Sequence, residues 1–412
     1  MAESVSTSYW HATAPAPIPD DPIPSGADVV VIGAGLLGTW TAYWLARAGV
    51  DVLVIEKTAI SHGATGRNGG FLRGGTAAGY RHAIDTLGHE VARGLWQTTF
   101  RGQQLAAEII AEEGIDCDFR TPGTLSLALN EQEAAEYQAE LALFAQDGFP
   151  GEWLNHADVQ AMLQTRLADD VAGALFFADG SLLHSSRYLA GIAAAAKRHG
   201  ARFALAEAAS LEPAASGVSI RTSAGTIAAG RVVVALNAWT DTLVPALSGL
   251  VVPVRGQILA YEPIGRVFEP GIGASISSTG EYWQQTRDGS IVIGGCRADA
   301  PGGDVGVREM VPTPDVTARI EAVIPRLFPD LTGTPVARHW AGLMAFTSDY
   351  LPVADAIPDV PGAWVTGGFC GHGMPYGPIV GQLLAEAVQT GSTPEALAPL
   401  RIARPSLMRM AS

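Results

Sequence analysis

Cysteine is scarce in this chain. Its 412 residues hold three, Cys117, Cys296 and Cys370, far apart and odd in number. That excludes a disulfide framework and any C-x-x-C unit, and makes a reducing cytoplasm the default location. The histidines fall nowhere into H-E-x-x-H or a similar spacing, so no metal site is expected. Basic charge is short as well: 26 Lys and Arg against 41 Asp and Glu leave a net charge of −15. A nucleic-acid partner requires a basic footprint and is excluded. The acidic balance serves solubility first, and only mildly favours cationic substrates such as amines. The start, "MAESVSTSYWHATAPAPIPDDPIP", lacks the basic and apolar regions of a secretory signal. Its prolines predict an extended surface arm over 1–27.

Long apolar runs are also few. Val29 to Ala46 is the exception, 18 residues without a charge, which reaches the length of a membrane span. Three glycines interrupt it and its period changes midway, so a buried strand, a turn and a helix are expected and no membrane partner. Asp28–Ile32 reads as a strand buried on both faces, Leu36–Ala48 as a helix, and Val52–Glu56 as the next strand. Further along, 90–114 reads as a long helix and 313–328 as another. Strand-rich sequence fills 250–295. Near the end a strand at 363–366, a glycine loop and a helix from Pro378 repeat the opening logic.

The turn between the first strand and helix, "GAGLLG", fits G-x-G-x-x-G. It follows a buried strand and opens a helix, and Glu56 ends the following strand. That context is what a dinucleotide fingerprint requires. Gly33 permits the tight turn, Gly35 admits a pyrophosphate, and Gly38 lets the helix approach the strand. Leu37 belongs to the same turn, and Lys57 follows Glu56. An acid at Glu56 suits ribose hydroxyls and disfavours a 2′-phosphate, leaving FAD or NAD. The next stretch, "HGATGRNGGFLRGG", favours FAD. Its consecutive glycines let backbone lie against a large flat ligand, although such loops also serve as mobile connectors.

Four blocks resemble the amino-acid-oxidase-like flavoproteins, a set that includes glycine, sarcosine and γ-glutamylputrescine oxidases: "DVVVIGAGLLGTWTAYWLARAGVDVLVIEK", "GATGRNGG", "RVVVALNAWTDTL" and "WVTGGFCGHGMPYGPIVGQLLAE". "GRNGG" with "SYW" is most similar to the γ-glutamylputrescine branch. The resemblance implies an α/β fold: a Rossmann-type FAD-binding domain of the p-hydroxybenzoate-hydroxylase kind, with an antiparallel-sheet substrate domain. The expected division gives 28–90, 171–249 and 335–412 to the cofactor domain, and 91–170 and 250–334 to the substrate domain. FAD would be bound noncovalently. Gly66, Arg67, Asn68, Gly69, Gly70, Asn237, Gly368, Gly371, Gly373 and Met374 are the cofactor contacts that the resemblance adds.

It also implies the chemistry: hydride transfer from the carbon beside nitrogen to flavin N5, then hydrolysis of the imine. The partners are a small amine or amino acid and either oxygen or another electron acceptor. Arg73 stands where relatives carry a substrate-binding arginine, though a salt bridge would suit it equally. Tyr282 and His372 match positions near the flavin, with a strand aromatic and a structural histidine as the plainer readings. Met344 replaces the carboxylate-binding arginine of glycine-oxidase-like members and the flavin-linked cysteine of sarcosine-oxidase-like ones. Pro375 and Val292 stand where sarcosine-oxidase-like members place lysines, the second of them for oxygen. An amine oxidase is therefore the leading reading and an opine-type dehydrogenase the second. An NAD-dependent enzyme and a protein that uses FAD only structurally are the others. The substrate and the oligomeric state are not legible.

Overall fold

Val29 to Ile32 form an uninterrupted apolar run because this second half of the strand Gly26–Ile32 has no solvent-facing side. Parallel strands Val52–Glu56 and Gly225–Val234 flank it on its two edges. On one face, Val29 and Val31 pack with Leu37 and Trp40 beneath the helix Leu36–Arg47. On the other, Val30 and Ile32 pack with Val218, Ile220 and Ile227. The structure is a computed structural model and describes residues 6–409.

Eight strands make this first sheet. Along its main path run Val353–Ala356, Ala363–Gly367, Gly225–Val234, Gly26–Ile32, Val52–Glu56 and Arg202–Leu205. The hairpin Ala208–Ala214 and Gly217–Thr222 attaches to the first half of Gly225–Val234. The helix Leu36–Arg47 is sandwiched between Ser185–Arg198 and Gly373–Thr390, and the latter also packs on the long helix His89–Glu112.

The second sheet also has eight strands, in the order Val336–Phe346, Val252–Tyr261, Ile291–Gly294, Glu281–Gln285, Gly271–Ala274, Thr124–Ala128, Gly173–Phe177, Glu152–Asn155. All its pairs are antiparallel except Gly271–Ala274 with Thr124–Ala128. The amphipathic helix Pro314–Leu327 closes its core with Phe268, Trp283 and Phe328. The architecture is the expected α/β one: a doubly covered, mainly parallel sheet beside a mainly antiparallel sheet. Among the described residues no helix is long and apolar enough to cross a membrane.

Three expectations change in detail. Strands Gly173–Phe177 and Val336–Phe346 lie in the second sheet, although the segments 171–249 and 335–412 were assigned with the first. The C-terminal helix begins at Gly373, not at Pro378, which sits inside it. Pro378 has no N–H to give the helix, and its carbonyl accepts from Trp44 Nε1 at 2.9 Å. The N-terminal arm is not simply a surface ribbon. Residues 1–5 lie outside the described part, but Tyr9–Thr13 is a short helix capped by Ser8, and Ser8, Tyr9 and Trp10 are buried.

Candidate active site

A cavity of about 1290 Å³ opens between the two sheets. It exceeds the roughly 300–1,000 Å³ of an ordinary ligand pocket and has room for a cofactor together with a small substrate. Its first end is the turn after Gly26–Ile32. Gly33 has φ +105, and a Cβ there would stand 2.7 Å from the Ala235 carbonyl oxygen, so only glycine fits. A Cβ on Gly38 would strike the Gly33 carbonyl, which is the close helix–strand approach the spacing predicts. Gly38 therefore packs the turn and does not line the cavity.

Gly35 differs from both. A Cβ there would meet nothing closer than Thr65 Oγ1 at 3.9 Å, so the space above it is open. It is the N-cap of Leu36–Arg47, whose first-turn amides point into that space; Leu36 N–H donates to Thr65 Oγ1 at 3.1 Å. Open room at the positive end of a helix suits a pyrophosphate. The Glu56 carboxylate lines the cavity nearby, accepting from Ala34 N–H and from Thr58 N–H and Oγ1. Lys57 also lines this end, its ammonium 3.7 Å from Glu207 and over the Trp239 ring. Leu37 completes the turn's contribution to the wall.

The glycine loop is held from behind by the N-terminal segment. Trp10 Nε1 donates to the Asn68 carbonyl at 2.6 Å, and Ser8 Oγ to the Gly66 carbonyl at 2.6 Å. A Cβ on Gly66 would collide with His11 and the Ser61 carbonyl, so Gly66 makes room for the arm and does not reach the cavity. Asn68, Gly69 and Gly70 do line it. Asn68 Oδ1 accepts from Gly70 N–H and Ser185 Oγ, and its amide points at Met374 Sδ, 3.4 Å away. Replacing Trp10 with phenylalanine should keep most of the packing and leave the half-buried Asn68 carbonyl without its donor. The expected cost is about 1–3 kcal/mol, read as a lower urea midpoint with the fold intact by circular dichroism.

Arg67 lines the cavity but is consumed by the protein. It is 3% exposed, and Nε and Nη1 donate to the carbonyls of His62, Ser6 and Ala341. Burial lowers its pKa to about 10, and it stays charged at neutral pH. It therefore ties the arm, the loop and the strand Val336–Phe346 together.

From the C-terminal side come Gly371, His372, Gly373 and Met374, at the start of the helix Gly373–Thr390. Gly368 stays behind the wall; its N–H donates to Asn237 Oδ1 at 3.1 Å, coupling this loop to Asn237, which does face the cavity. Burial first, and then the charge of Arg73, lower the His372 pKa to about 4, so the ring is neutral near pH 7. Burial raises the Tyr282 phenol to about 12, against the pull of Arg297. Tyr282 lies against Gly69 and meets Phe71 edge-on at 6.0 Å. Met344 lines the wall between Gly256 and Gly371. Trp283 and Trp340 are core, and Val292 is fully buried beside Trp340, away from the cavity.

Arg73 faces the cavity with its guanidinium 4.5 Å above the Phe177 ring, and among the described residues it has no ion pair or hydrogen bond. The salt-bridge reading of Arg73 therefore does not hold. Arg297 was not anticipated. It lines the same cavity, 4.7 Å over Phe346, and is likewise without an ion pair or hydrogen bond among the described residues. Nothing in "GGCRADA" marks it, since only the fold carries the end of strand Ile291–Gly294 to the cavity.

A sequence profile of the FAD dependent oxidoreductases, the DAO family, matches residues 28–387. The chain is 29% identical over 406 residues to the gamma-glutamylputrescine oxidoreductase of Escherichia coli (strain K12), covering 94% of this chain and 90% of that protein. It is 26% identical over 384 residues to a glycine oxidase of Pseudomonas putida, covering 89% of this chain and 95% of that one. Its fold matches glycine oxidase from Geobacillus kaustophilus with a TM-score of 0.80 at 24% identity, over 92% of this chain and 99% of that one. The profile runs from the first strand into the C-terminal helix, and the turn at Gly33–Gly38 with Glu56 fits the nucleotide the profile names: the chain belongs to the FAD dependent oxidoreductase family.

Proposed function

We propose that this enzyme oxidises a C–N single bond of an amine or amino acid to an imine, which water then hydrolyses to the carbonyl product. The observation that carries this reading is the continuity of one cavity from the dinucleotide turn to Arg73, Tyr282 and His372. Bound FAD supplies the acceptor for the two electrons and the hydrogen on carbon. The amides of Gly35 and Leu37 would hold its pyrophosphate, Glu56 its ribose, and the start of the helix at Gly373 its far end. The binding is noncovalent in this reading. Cys370 is the one cysteine on the cavity; its thiol faces the Gly368 carbonyl at 3.2 Å, and burial raises its pKa to about 11.

At the far end the described residues offer neutral groups, His372 and Tyr282, and guanidinium groups, with no carboxylate. An ammonium substrate is disfavoured there and a neutral amine favoured, which leaves the nitrogen lone pair free to form the imine. Oxygen as acceptor would yield peroxide. A second reading, transfer to another acceptor, is favoured by one observation. The chain has two lysines, Lys57 and Lys197; Lys57 sits at the Glu56 end and Lys197 pairs with Asp20 and Asp21. Neither is placed to assist oxygen at the substrate end.

The purified protein should be yellow, and its flavin absorbance should bleach anaerobically with one member of a panel of polyamines, N-methyl amino acids and D- and L-amino acids. Peroxide formed once per turnover in air marks an oxidase, and bleaching without peroxide marks the second reading. A yellow protein that no amine bleaches would refute both.

A further inference from the structure

The chain carries fifteen net negative charges, yet the substrate end of its cavity is cationic. Among the described residues the two carboxylates on the cavity wall, Glu56 and Glu207, both belong to the dinucleotide end. There Glu56 is occupied by Ala34 and Thr58, and Glu207 faces Lys57. Arg67 has its Nε and Nη1 donors taken up by three backbone carbonyls. Arg73 and Arg297 remain, each stacked on a phenylalanine and each with unused N–H donors.

The two arginines occupy separate places. Arg73 stacks on Phe177 and interacts with Glu140, Asp179, Tyr137 and His372, while Arg297 stacks on Phe346 near Tyr350, Cys370, Tyr282 and Asp304. The two sets share no member, so the arginines occupy separate stretches of the wall. The acids among these neighbours do not pair with them. Asp304 is held by Arg255 and Gln257, Glu140 accepts from Tyr80 N–H, and Asp179, whose Oδ1 has no hydrogen-bond partner among the described residues, lies off the cavity wall and beyond ion-pair distance of Arg73. Burial lowers the pKa of both guanidinium groups and outweighs the pull of these neighbours, the cost of a charge held away from water without a paired carboxylate. A stacked arginine with open donors is suited to planar, two-point capture of a carboxylate. Two such arginines set apart offer two anion positions across one apolar chamber.

Building on the proposed amine oxidation, we propose that the substrate is a diacid: an amine or amino acid carrying two carboxylate groups, one received by Arg73 and the other by Arg297, with the oxidised C–N bond between them. Arg297 is then a specificity-determining residue. Met344 fits this arrangement, because an apolar side chain on the same wall meets the carbon skeleton and not an acid group.

The test uses the yellow holoenzyme and unreactive thioether acids, in which sulfur replaces the amine nitrogen. Thiodiacetate and 3,3′-thiodipropionate are compared with their one-acid counterparts, (methylthio)acetate and 3-(methylthio)propionate. Binding is read from the shift of the flavin spectrum and from calorimetry. At least one diacid should bind ten times more tightly than its one-acid counterpart. Arg297→Gln and Arg73→Gln should each bring that ratio below three, and Arg297→Lys should retain part of it. The proposal is overturned if no diacid outbinds its counterpart, or if the ratio survives in Arg297→Gln. A purified protein that does not take up FAD would instead refute the underlying oxidoreductase reading.

Discussion

Gly35→Asp should give a folded protein without colour. Gly35 has φ −79 and ψ −172, a conformation that aspartate adopts freely, and open space where its side chain would go. Aspartate is a preferred N-cap residue, so the helix Leu36–Arg47 would lose nothing and could gain a few tenths of a kcal/mol. The carboxylate would stand where the cofactor's phosphates are proposed to sit. Like charges brought together in a closed site cost several kcal/mol, and about 2.7 kcal/mol is already a hundredfold in affinity. The expected result is an apoprotein with an unchanged or slightly raised melting midpoint and FAD binding weakened more than a hundredfold. Gly35→Asn adds the same bulk without the charge and should lose far less. Equal losses in the two variants would assign the effect to volume, and full retention of FAD by Gly35→Asp would remove Gly35 from the phosphate site.

Arg404→Met should be among the most destabilising substitutions in the chain. Arg404 is 9% exposed and Asp349 8% exposed. They meet through two hydrogen bonds of 2.6 and 2.9 Å, and Arg404 also donates to the carbonyls of Leu351, Pro352 and Arg401. Removing the cation leaves a buried carboxylate uncompensated, which costs about 3–5 kcal/mol. Asp349→Leu in the same chain should recover most of that loss. Phe346 and Tyr350, beside this pair, line the cavity, so the single variant should also bind FAD more weakly.

The pH dependence has a definite sign. Burial opposes the Asp349 charge, but Arg404, Ser406 and the Leu351 N–H outweigh it and hold its pKa below the ordinary carboxylate value. A depressed folded-state pKa contributes stability that is present above the unfolded pKa, near 3.9, and lost as pH falls through the folded one. The difference in urea midpoint between the parent and Arg404→Met should therefore be full at pH 7 and shrink as pH falls, first as the unpaired Asp349 of the variant takes up a proton and then, below about pH 4, as the parent loses its own contribution. A difference that stays constant down to pH 3 would show that the ion pair is not its source.

The sequence was most informative where backbone geometry leaves few choices. Gly33 and Gly38 are legible because a turn with φ +105 and a helix in contact with a strand each exclude every side chain. Glu56 is legible from its place at the end of the next strand. The loop's other glycines were less transparent. Gly66 looked like part of a flat ligand face, yet it is small because His11 packs there. That contact joins residues far apart in the chain, and no local pattern records it. Arg297 was invisible for the same reason, since its position depends on how the second sheet meets the first. The net charge said little about the site. An acidic total serves solubility first and only mildly favours a cationic substrate, while among the described residues the acids nearest Arg73 and Arg297 are hydrogen-bonded or lie outside the wall, and the chamber carries guanidinium groups. The sheet membership of Gly173–Phe177 and Val336–Phe346 was lost because both neighbour segments of the first sheet in sequence.

The arm at Ser6–Trp10 also bears on how the chain is made. Ser6 Oγ accepts from Ala341 N–H, and its carbonyl from Arg67. The strand Gly26–Ile32 needs Gly225–Val234 beside it, which in turn needs Ala363–Gly367. During synthesis the nucleotide turn leaves the ribosome early but cannot be completed until residues near 367 follow. For most of translation its apolar strand is without its final neighbours. Closure over such long sequence separations is slow and exposes strand edges to association. Yield in a fast expression host should therefore be limited by vectorial synthesis rather than by the stability of the finished protein.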